Sequence, residues 1–467
     1  MNRRSGLQTF LHVEKLSVQL DHYGRLIDVG TLAWSQDERR AYFEYGRNFL
    51  AEPLPLSPFK LAPSGGAKEA PHRPFGGLHG MFNDSLPDGW GRLLLDRRLQ
   101  KRNYDYRLLT PLDRLAYVGS KGMGALRYVP HKAFEKASRD EINIDWLAAQ
   151  AGYVQAEVDV VDVDLLQEIQ GGSAGARPKI MIGLDETTGK VVADDGGVMP
   201  DGYKSWMVKF RSTHDPSEIG AEEYAYSLMA GDAGVDTPAT RLINTPKGSY
   251  FATRRFDRRS EGRVHVQTVS GLVEADHAAP SIDYDTLLKI TRLLTRDERD
   301  VRQMFRRMIF NVLAHNRDDH AKNHAFLMTA DGEWQPTPAY DLTLSEGPGG
   351  EHNLAVDGEG RNPSRENIMA VADRASISTS EANSIFQEVH SAIERWPAHA
   401  GKADLSERRT LKLTTSSTSA GLAPGSVTAL RALSFGNETP GVVAGSGSKN
   451  RGVLRQAMVS AGEGARK

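Results

Sequence analysis

Cysteine is absent from this 467-residue sequence, and its absence excludes three kinds of chemistry. The chain forms no disulfides, offers no thiolate nucleophile and holds no metal through thiolates. Any metal site must therefore use oxygen or imidazole ligands. A chain without cysteine also suits a reducing compartment, in agreement with a cytoplasmic location.

Long apolar runs are missing as well. No stretch approaches the length of a membrane span, and residues 5–18 mix polar with apolar residues, so they contain no signal-peptide core. With 39% hydrophobic and 25% charged residues, the composition is typical of a soluble globular protein. We therefore expect a cytoplasmic protein.

An excess of positive charge is the third absence. The formal net charge is −2 and the isoelectric point is near 6.7. Such a chain has no global positive field to draw it onto nucleic acid phosphates, so autonomous tight binding to DNA is disfavoured.

The chain is longer than one hydrophobic core usually serves and has no internal repeat, so we expect two or three globular units. Alternating apolar and polar residues from His12 to about Leu54 predict a small antiparallel β unit. Helices should follow, with Asn83, Asp84 and Ser85 as N-cap candidates before the stretch Leu93 to Leu99.

Further along the chain, strands and turns around a helix at Ala221 to Ala233 are predicted for about 165–260. Mostly helical structure is predicted for about 283–396, where the apolar spacing within Gln303 to Ala314 indicates a buried stripe. The fold class is therefore α+β. We expect four segments: 1–150, a β-rich unit plus helices; 151–260, strands with a glycine-rich loop; 261–402, mostly helical with a catalytic loop; and 403–467, an atypical tail rich in Ser, Thr, Gly and Ala.

The most informative segment runs from His315 to His324 and concentrates many catalytic residue types in ten positions. Asp318 and Asn323 have the spacing of the Asp and Asn of a protein-kinase catalytic loop, in which the aspartate orients the acceptor hydroxyl and the asparagine binds Mg²⁺. Asp341 follows where the main magnesium carboxylate is expected. Two protein oxygens suffice for Mg²⁺, which retains several waters.

Upstream residues complete the pattern of a phosphotransferase. Ser205 to Phe210 reads as a strand with Lys209 on its polar face, and Glu223 on the next predicted helix suits a lysine–glutamate pair. The glycine-rich run from Gln170 to Lys179 could bring backbone amides close to phosphate oxygens. Each of these elements by itself also occurs in proteins with no catalytic function, but their order along the chain is that of a kinase.

Two other functions stay open at this point. His320, His324 and Asp318 could belong to a divalent-metal hydrolase, although this gives Lys209 and the glycine-rich run no task. If this segment binds no such metal, we expect His320 to fix the loop by hydrogen bonds. A non-catalytic scaffold with a kinase-like fold is the second alternative, but such a scaffold would tolerate loss of Asp318, Asn323 or Asp341, and all three are present.

The sequence resembles the HipA family of toxin–antitoxin kinases from roughly residue 15 to residue 400. The motifs that carry the resemblance are Phe82 to Gly89, Gly119 to Leu126, Gly172 to Lys179, Arg255 to Arg258 and Asp318 to Asn323. It implies a two-lobed protein-kinase-like fold with an N-terminal β-rich subdomain and a mostly helical C-terminal lobe.

The resemblance also implies site residues, cofactors and partners. ATP and Mg²⁺ would be the cofactors. The residues expected to bind ATP or its phosphates, with the hinge beside adenine at Arg254 to Phe256, are Gly172, Ser173, Lys179, Lys209, Glu223, Arg254, Phe256 and His320.

Relatives autophosphorylate a serine in or near the glycine-rich loop, and Ser173 is the nearest candidate here. They are neutralised by a small DNA-binding antitoxin, so DNA contact is expected only through that complex. The best-known substrate of the type is glutamyl-tRNA synthetase.

Overall fold

The computed structural model describes residues 8, 10–132, 142–156, 158, 163–171, 175, 177–194, 196–197, 199–276, 279 and 281–411. The predicted tail, 403–467, lies outside the described residues from residue 412 onward.

An antiparallel five-stranded sheet opens the fold. Leu16, Val18 and Leu20 alternate with polar residues and are completely buried on one face, as the sequence pattern predicts. The strand order is β4-β3-β2-β1-β5, so the last strand comes from beyond the following helices and pairs with β1. The strands are β1 (Lys15–His22), β2 (Arg25–Ser35), β3 (Arg40–Tyr45), β4 (Lys68–Glu69) and β5 (Leu126–Val129).

Four helices lie between β3 and β5 along the chain: α1 (Arg47–Ala51), α2 (Gly80–Asn83), α3 (Gly89–Lys101) and α4 (Pro111–Val118). A 3-10 turn, Tyr106–Leu108, precedes α4. The predicted N-cap residues are wrong for α3, because Asp88 occupies the cap position. Asp84 instead accepts hydrogen bonds from the distant Thr268.

A second antiparallel sheet forms the strand-rich lobe, in the order β7-β6-β8-β10-β9. Trp206, Val208 and Phe210 are buried, as the alternation around β8 predicts. The helix predicted at Ala221 to Ala233 is present as α7. The elements of this region are α5 (Ile144–Gln155), α6 (Val163–Ile169), β6 (Lys179–Asp185), β7 (Val191–Ala193), β8 (Tyr203–Lys209), α7 (Ile219–Asp232), β9 (Thr240–Thr245) and β10 (Gly248–Arg254).

The remaining described chain is mainly helical. The apolar stripe of α10 (Met304, Phe305, Met308, Ile309, Val312, Leu313) is buried, as predicted. A 3-10 turn, Pro348–Gly350, precedes α11. The elements are β11 (Arg258–Arg259), β12 (Gly262–Arg263), β13 (Val266–Thr268), α8 (Val269–Val273), α9 (Tyr284–Thr295), α10 (Glu298–Leu313), β14 (Ala325–Met328), β15 (Trp334–Pro336), α11 (Arg365–Arg374), α12 (Thr379–Glu394) and α13 (Trp396–Lys402).

Two hydrophobic cores hold these elements together. The larger joins the N-terminal sheet to α7 and to the helices α9 to α13. The smaller lies under the second sheet and includes Trp90 and Leu94 of α3. The predicted α+β class, with a β-rich N-terminal part and a helical C-terminal lobe, is confirmed. Among the described helices, we find none with the length and apolar character that crossing a bilayer requires.

Candidate active site

A buried lysine–glutamate pair lies where the second sheet meets α7. Lys209 is the last residue of β8, and its Nζ is 2.9 Å from Glu223 Oε2 and also contacts Asp341 Oδ1. Burial disfavours the ammonium form, but Asp341 and Glu223 outweigh it and raise the pKa of Lys209 above its ordinary value. The site therefore keeps Lys209 charged.

The pKa of Asp341 is shifted in the opposite direction from that of Lys209. Its backbone has φ of 53°, an uncommon conformation for a residue other than glycine, at the end of the run from Pro338. Burial favours the protonated acid, but Lys209 and Lys179 outweigh it and hold the pKa of Asp341 below its usual range. The site therefore keeps Asp341 ionised.

Lys179 begins β6 directly opposite Lys209 in the register of the sheet, so both side chains leave the same face. Lys179 is buried, and burial lowers its pKa, with the charge of Asp341 acting against that effect. The two lysines therefore lie on one face of the sheet beside Asp341, a placement that suits an anionic ligand.

The glycine-rich run lies next to these lysines. Gly171 and Gly175 have φ of 65° and 100°, which a side chain would disfavour. The carbonyl of Gly175 accepts a hydrogen bond from the Trp90 backbone N–H at 3.1 Å, and the Trp90 indole donates to the Lys179 carbonyl at 3.0 Å. Trp90 of α3 therefore contacts this run at Gly175 and Lys179. Gly172 and Ser173 lie outside the described residues.

Sequence reasoning gave Arg177 no role. Its guanidinium contacts Glu223 and lies 3.1 Å from Asp215 Oδ1. Glu223 therefore binds Arg177 and Lys209 together. The only indication in the sequence was that an arginine occurs within the glycine-rich run, and this does not identify Glu223 as its partner.

The segment after α10 carries Asp318. The side chain of Asp318 is half exposed, and the Asn323 amide donates to the Asp318 carbonyl at 2.6 Å. His320 Nε2 lies 3.7 Å from Asp318 Oδ1. Partial burial and the charges of Asp341 and Asp319 raise the pKa of Asp318, while His320 acts against them. Asp341 thus lies near enough to Asp318 for its charge to raise that pKa.

Asp319 anchors this loop, a role that sequence reasoning missed. It is completely buried and accepts hydrogen bonds from Tyr284 Oη at 2.7 Å and from the Asn353 backbone N–H at 2.8 Å, while His352 Nδ1 lies 2.9 Å away. The side chain of the adjacent Asp318 is instead about half exposed. Two consecutive aspartates were the available signal, since one can be buried and structural while the other stays exposed.

Lys322 ties the same loop to the N-terminal part of the chain. Its Nζ donates to both carboxylate oxygens of Asp88, at 2.9 and 2.8 Å. Asp88 belongs to the Phe82 to Gly89 motif, so that motif contacts the loop directly.

A largely apolar cavity lies beside these charged groups. Arg254 and Phe256 line it where β10 leaves the sheet, and the rings of Phe256 and Tyr340 lie 5.9 Å apart. Its apolar lining includes Met181, Met207 and Leu342. Its charged lining includes Lys179, Lys209, Glu223 and Asp341. An apolar lining that continues into two lysines suits a ligand with an apolar part joined to an anionic part.

His320 and His324 are the histidines of the metal-hydrolase alternative. In the part of the chain that the structure describes, no group of three His, Asp or Glu side chains is placed to hold a metal ion. His324 is buried against Tyr284, and burial lowers its pKa to about 3. Asn323 and Asp341 instead offer oxygen donors of the kind that Mg²⁺ prefers, with phosphate and water to complete its shell.

Taken together, these lobes and this cleft define a protein-kinase-like fold. A family model described as the HipA N-terminal domain matches residues 22–129, and one described as the HipA-like C-terminal domain matches residues 171–396. Together they match more than half of the chain, which belongs to the HipA family.

Individual relatives agree with this assignment. HipA of Shewanella oneidensis MR-1, solved with HipB and its operator DNA, has a TM-score of 0.63 and 17% sequence identity, covering 87% of this chain and 95% of that one. This likeness concerns the fold. The protein named Putative kinase Y4dM of Sinorhizobium fredii (strain NBRC 101917 / NGR234) is 29% identical over 152 residues, which are 30% of this chain and 37% of that protein. The chain thus spans little more than a third of the length of this curated relative.

Proposed function

We propose that this protein is an ATP- and Mg²⁺-dependent protein kinase that modifies serine or threonine hydroxyls. The observation that carries the proposal is that Lys179, Lys209 and Asp341 together line an apolar cavity, and that the charge of Asp341 raises the pKa of Asp318. Family membership supports it, and so does the kinase name of the Sinorhizobium relative.

Each group has a separate task in the proposed reaction. The adenine occupies the cavity beside Arg254 and Phe256, and Lys179 and Lys209 hold phosphate oxygens while Glu223 fixes Lys209. Mg²⁺, when bound to Asn323 and Asp341, neutralises charge on the phosphates.

The acceptor hydroxyl oxygen attacks the γ-phosphorus as the bond to the β–γ bridging oxygen breaks. ADP departs with that electron pair, and the hydroxyl proton passes to Asp318. The raised pKa of Asp318 suits this acceptance, because a more basic carboxylate is the better proton acceptor.

The biological role that we propose is that of a toxin in a HipBA-like toxin–antitoxin pair, with a HipB-like DNA-binding antitoxin as partner. The Shewanella relative was solved with HipB and operator DNA, which supports this partner class. An aminoacyl-tRNA synthetase such as glutamyl-tRNA synthetase is the candidate substrate, and Ser173 is the candidate for autophosphorylation.

The test compares the wild type with Asp318→Ala and a matched control, Asp331→Ala, which changes an exposed aspartate in the turn after β14. Purified proteins receive γ-labelled ATP and Mg²⁺ with a bacterial extract. We expect labelled protein with the wild type and the control, and at least about a 100-fold loss with Asp318→Ala. Equal labelling, or none, from all three would refute the kinase proposal.

The toxin role is tested separately by growth. Expression of the wild type should slow bacterial growth, whereas Asp318→Ala should not. Normal growth with wild-type protein that still transfers phosphate would remove the toxin role and leave the kinase.

A further inference from the structure

Helix α7 carries Glu223, and its placement sets the geometry of the lysine–glutamate pair. In protein kinases the position of the corresponding helix decides whether that pair forms. What holds α7 therefore bears on the proposed reaction, and the following inference rests on the proposed function.

Residues 395–411, which we name the clamp segment, contact α7 near both of its ends. Glu218, just before the helix, accepts hydrogen bonds from the Ser406 backbone N–H at 2.7 Å and the Ser406 hydroxyl at 2.9 Å. At the other end, Asp232 accepts a hydrogen bond from Arg395 Nε at 2.7 Å and lies 3.0 Å from His399 Nε2. The clamp segment therefore runs along the helix.

The middle of α7 is held as well. The Tyr226 and Trp396 rings lie 5.2 Å apart, and Tyr226 Oη donates to the Ala314 carbonyl at 3.0 Å. Ala314 immediately precedes the segment that carries Asp318. Helix α7 thus joins the clamp segment to the loop that carries the proposed catalytic aspartate.

The most specific contact is made beside Glu223. Glu222 is 1% exposed, and its Oε2 accepts hydrogen bonds from Arg409 Nε at 2.8 Å and Arg409 Nη2 at 2.5 Å. Consecutive helical residues point about 100° apart, so Glu222 and Glu223 bind partners on different sides of α7. Arg409 on one side and Lys209 on the other therefore fix its rotation.

We propose that Arg409 is a positioning residue for phosphoryl transfer, which acts through Glu222 to hold α7 so that Glu223 stays paired with Lys209. A carboxylate so deeply buried needs its charge partner, and losing Arg409 would leave Glu222 to reach solvent by rotation or displacement of the helix. Glu223 would then leave Lys209.

The experiment uses the full chain and four proteins: wild type, Arg409→Met, Arg409→Lys and Arg408→Met. Arg408 is the exposed neighbour in the same turn and serves as the matched control. Backbone hydrogen exchange is followed in α7 and, for reference, in β1 to β3. Steady-state transfer of phosphate from γ-labelled ATP to the proteins of a bacterial extract gives an apparent kcat and the KM for ATP.

For Arg409→Met we expect exchange about 10-fold or more faster in α7 but unchanged in β1 to β3, together with about a 10-fold or greater fall in kcat. Arg409→Lys should recover part of both losses, because it keeps the charge but not the two-donor fork. Arg408→Met should match the wild type. If Arg409→Met does not fold, the same comparison is made with Arg409→Lys against the wild type.

The proposal is overturned if Arg409→Met leaves hydrogen exchange in α7 at the wild-type rate. It is also overturned if Arg409→Met lowers kcat without faster exchange in α7. Equal acceleration in α7 and in β1 to β3 would show a merely structural role and also overturn it. If the wild type transfers no phosphate, the proposed function fails by that result alone, while the exchange data still decide whether Arg409 fixes α7.

Discussion

The two aspartates closest to the proposed chemistry have opposite environments. Lys209 and Lys179 hold the pKa of Asp341 below its usual range, whereas partial burial and nearby carboxylates raise the pKa of Asp318. Paired carboxylates whose pKa values are pushed apart perform different tasks. Asp341 suits a permanent cation ligand, and Asp318 suits the acceptance of a proton.

Asp84 supplies a prediction at the same scale. Burial raises its pKa to about 7, against the hydrogen bonds that it accepts from Thr268. The folded protein therefore holds the Asp84 proton more tightly than the unfolded chain, whose ordinary pKa is 3.8. The stability from this proton is complete below about pH 4 and is lost as pH rises through about 7.

The variant Asp84→Asn cannot ionise, so it should lack this dependence. Between pH 5 and 7, the free energy of unfolding of the wild type should fall relative to the variant by about 1 kcal/mol per pH unit. Denaturant unfolding at pH 5, 6, 7 and 8 measures both proteins. A constant difference across this range would show that Asp84 keeps an ordinary pKa.

At the scale of elements, α2 and α8 pack almost backbone to backbone. A Cβ atom on Gly80 would lie 2.2 Å from the carbonyl oxygen of Gly271, and one on Gly271 would lie 2.2 Å from Asp84 Oδ2. Such an approach needs glycine at both positions. This contact joins the Phe82 to Gly89 motif region to the kinase-like part.

Gly80→Ala should therefore destabilise the protein by about 2 to 4 kcal/mol, because backbone atoms must shift to admit the methyl group. Gly152→Ala, within α5, is the control: its Cβ would meet nothing within 4 Å, and alanine should stabilise that helix by about 0.5 to 1 kcal/mol. Chemical denaturation compares both with the wild type. Equal stability of the two variants would contradict the close packing of α2 on α8.

For the whole molecule, the N-terminal part and the kinase-like part share their cores. The larger core contains Leu16 and Phe82 together with Phe310 and Phe326, and Trp90 belongs to the core under the second sheet. The division of the chain near residue 150 therefore remains a prediction from the sequence. It implies nothing about independent stability.

A fragment of residues 151–411 should accordingly fail to fold cooperatively, because it exposes the apolar surface that residues 1–150 cover. Circular dichroism during thermal unfolding and limited proteolysis compare it with the full chain. A sharp transition at the wild-type midpoint would show that the kinase-like part is stable alone.

The sequence by itself determined the elements whose burial follows a local period. Alternation around Trp206 and Val208 defined β8, and the three- and four-residue spacing around Met308 defined α10, because the chain's own geometry decides which side chains share a face. The order of motifs also predicted the family, which the comparisons confirm, and placed Lys209 and Glu223 on neighbouring elements.

Only the tertiary structure decided which distant groups meet. The pairing of β5 with β1, the contact of Asp84 with Thr268, and the ion pairs of Lys322 with Asp88 and of Arg409 with Glu222 join residues about 100 to nearly 240 positions apart. Local periodicity carries no information on such partners. They are fixed by how the two cores pack, since a buried charge takes whichever opposite charge the packing brings within reach.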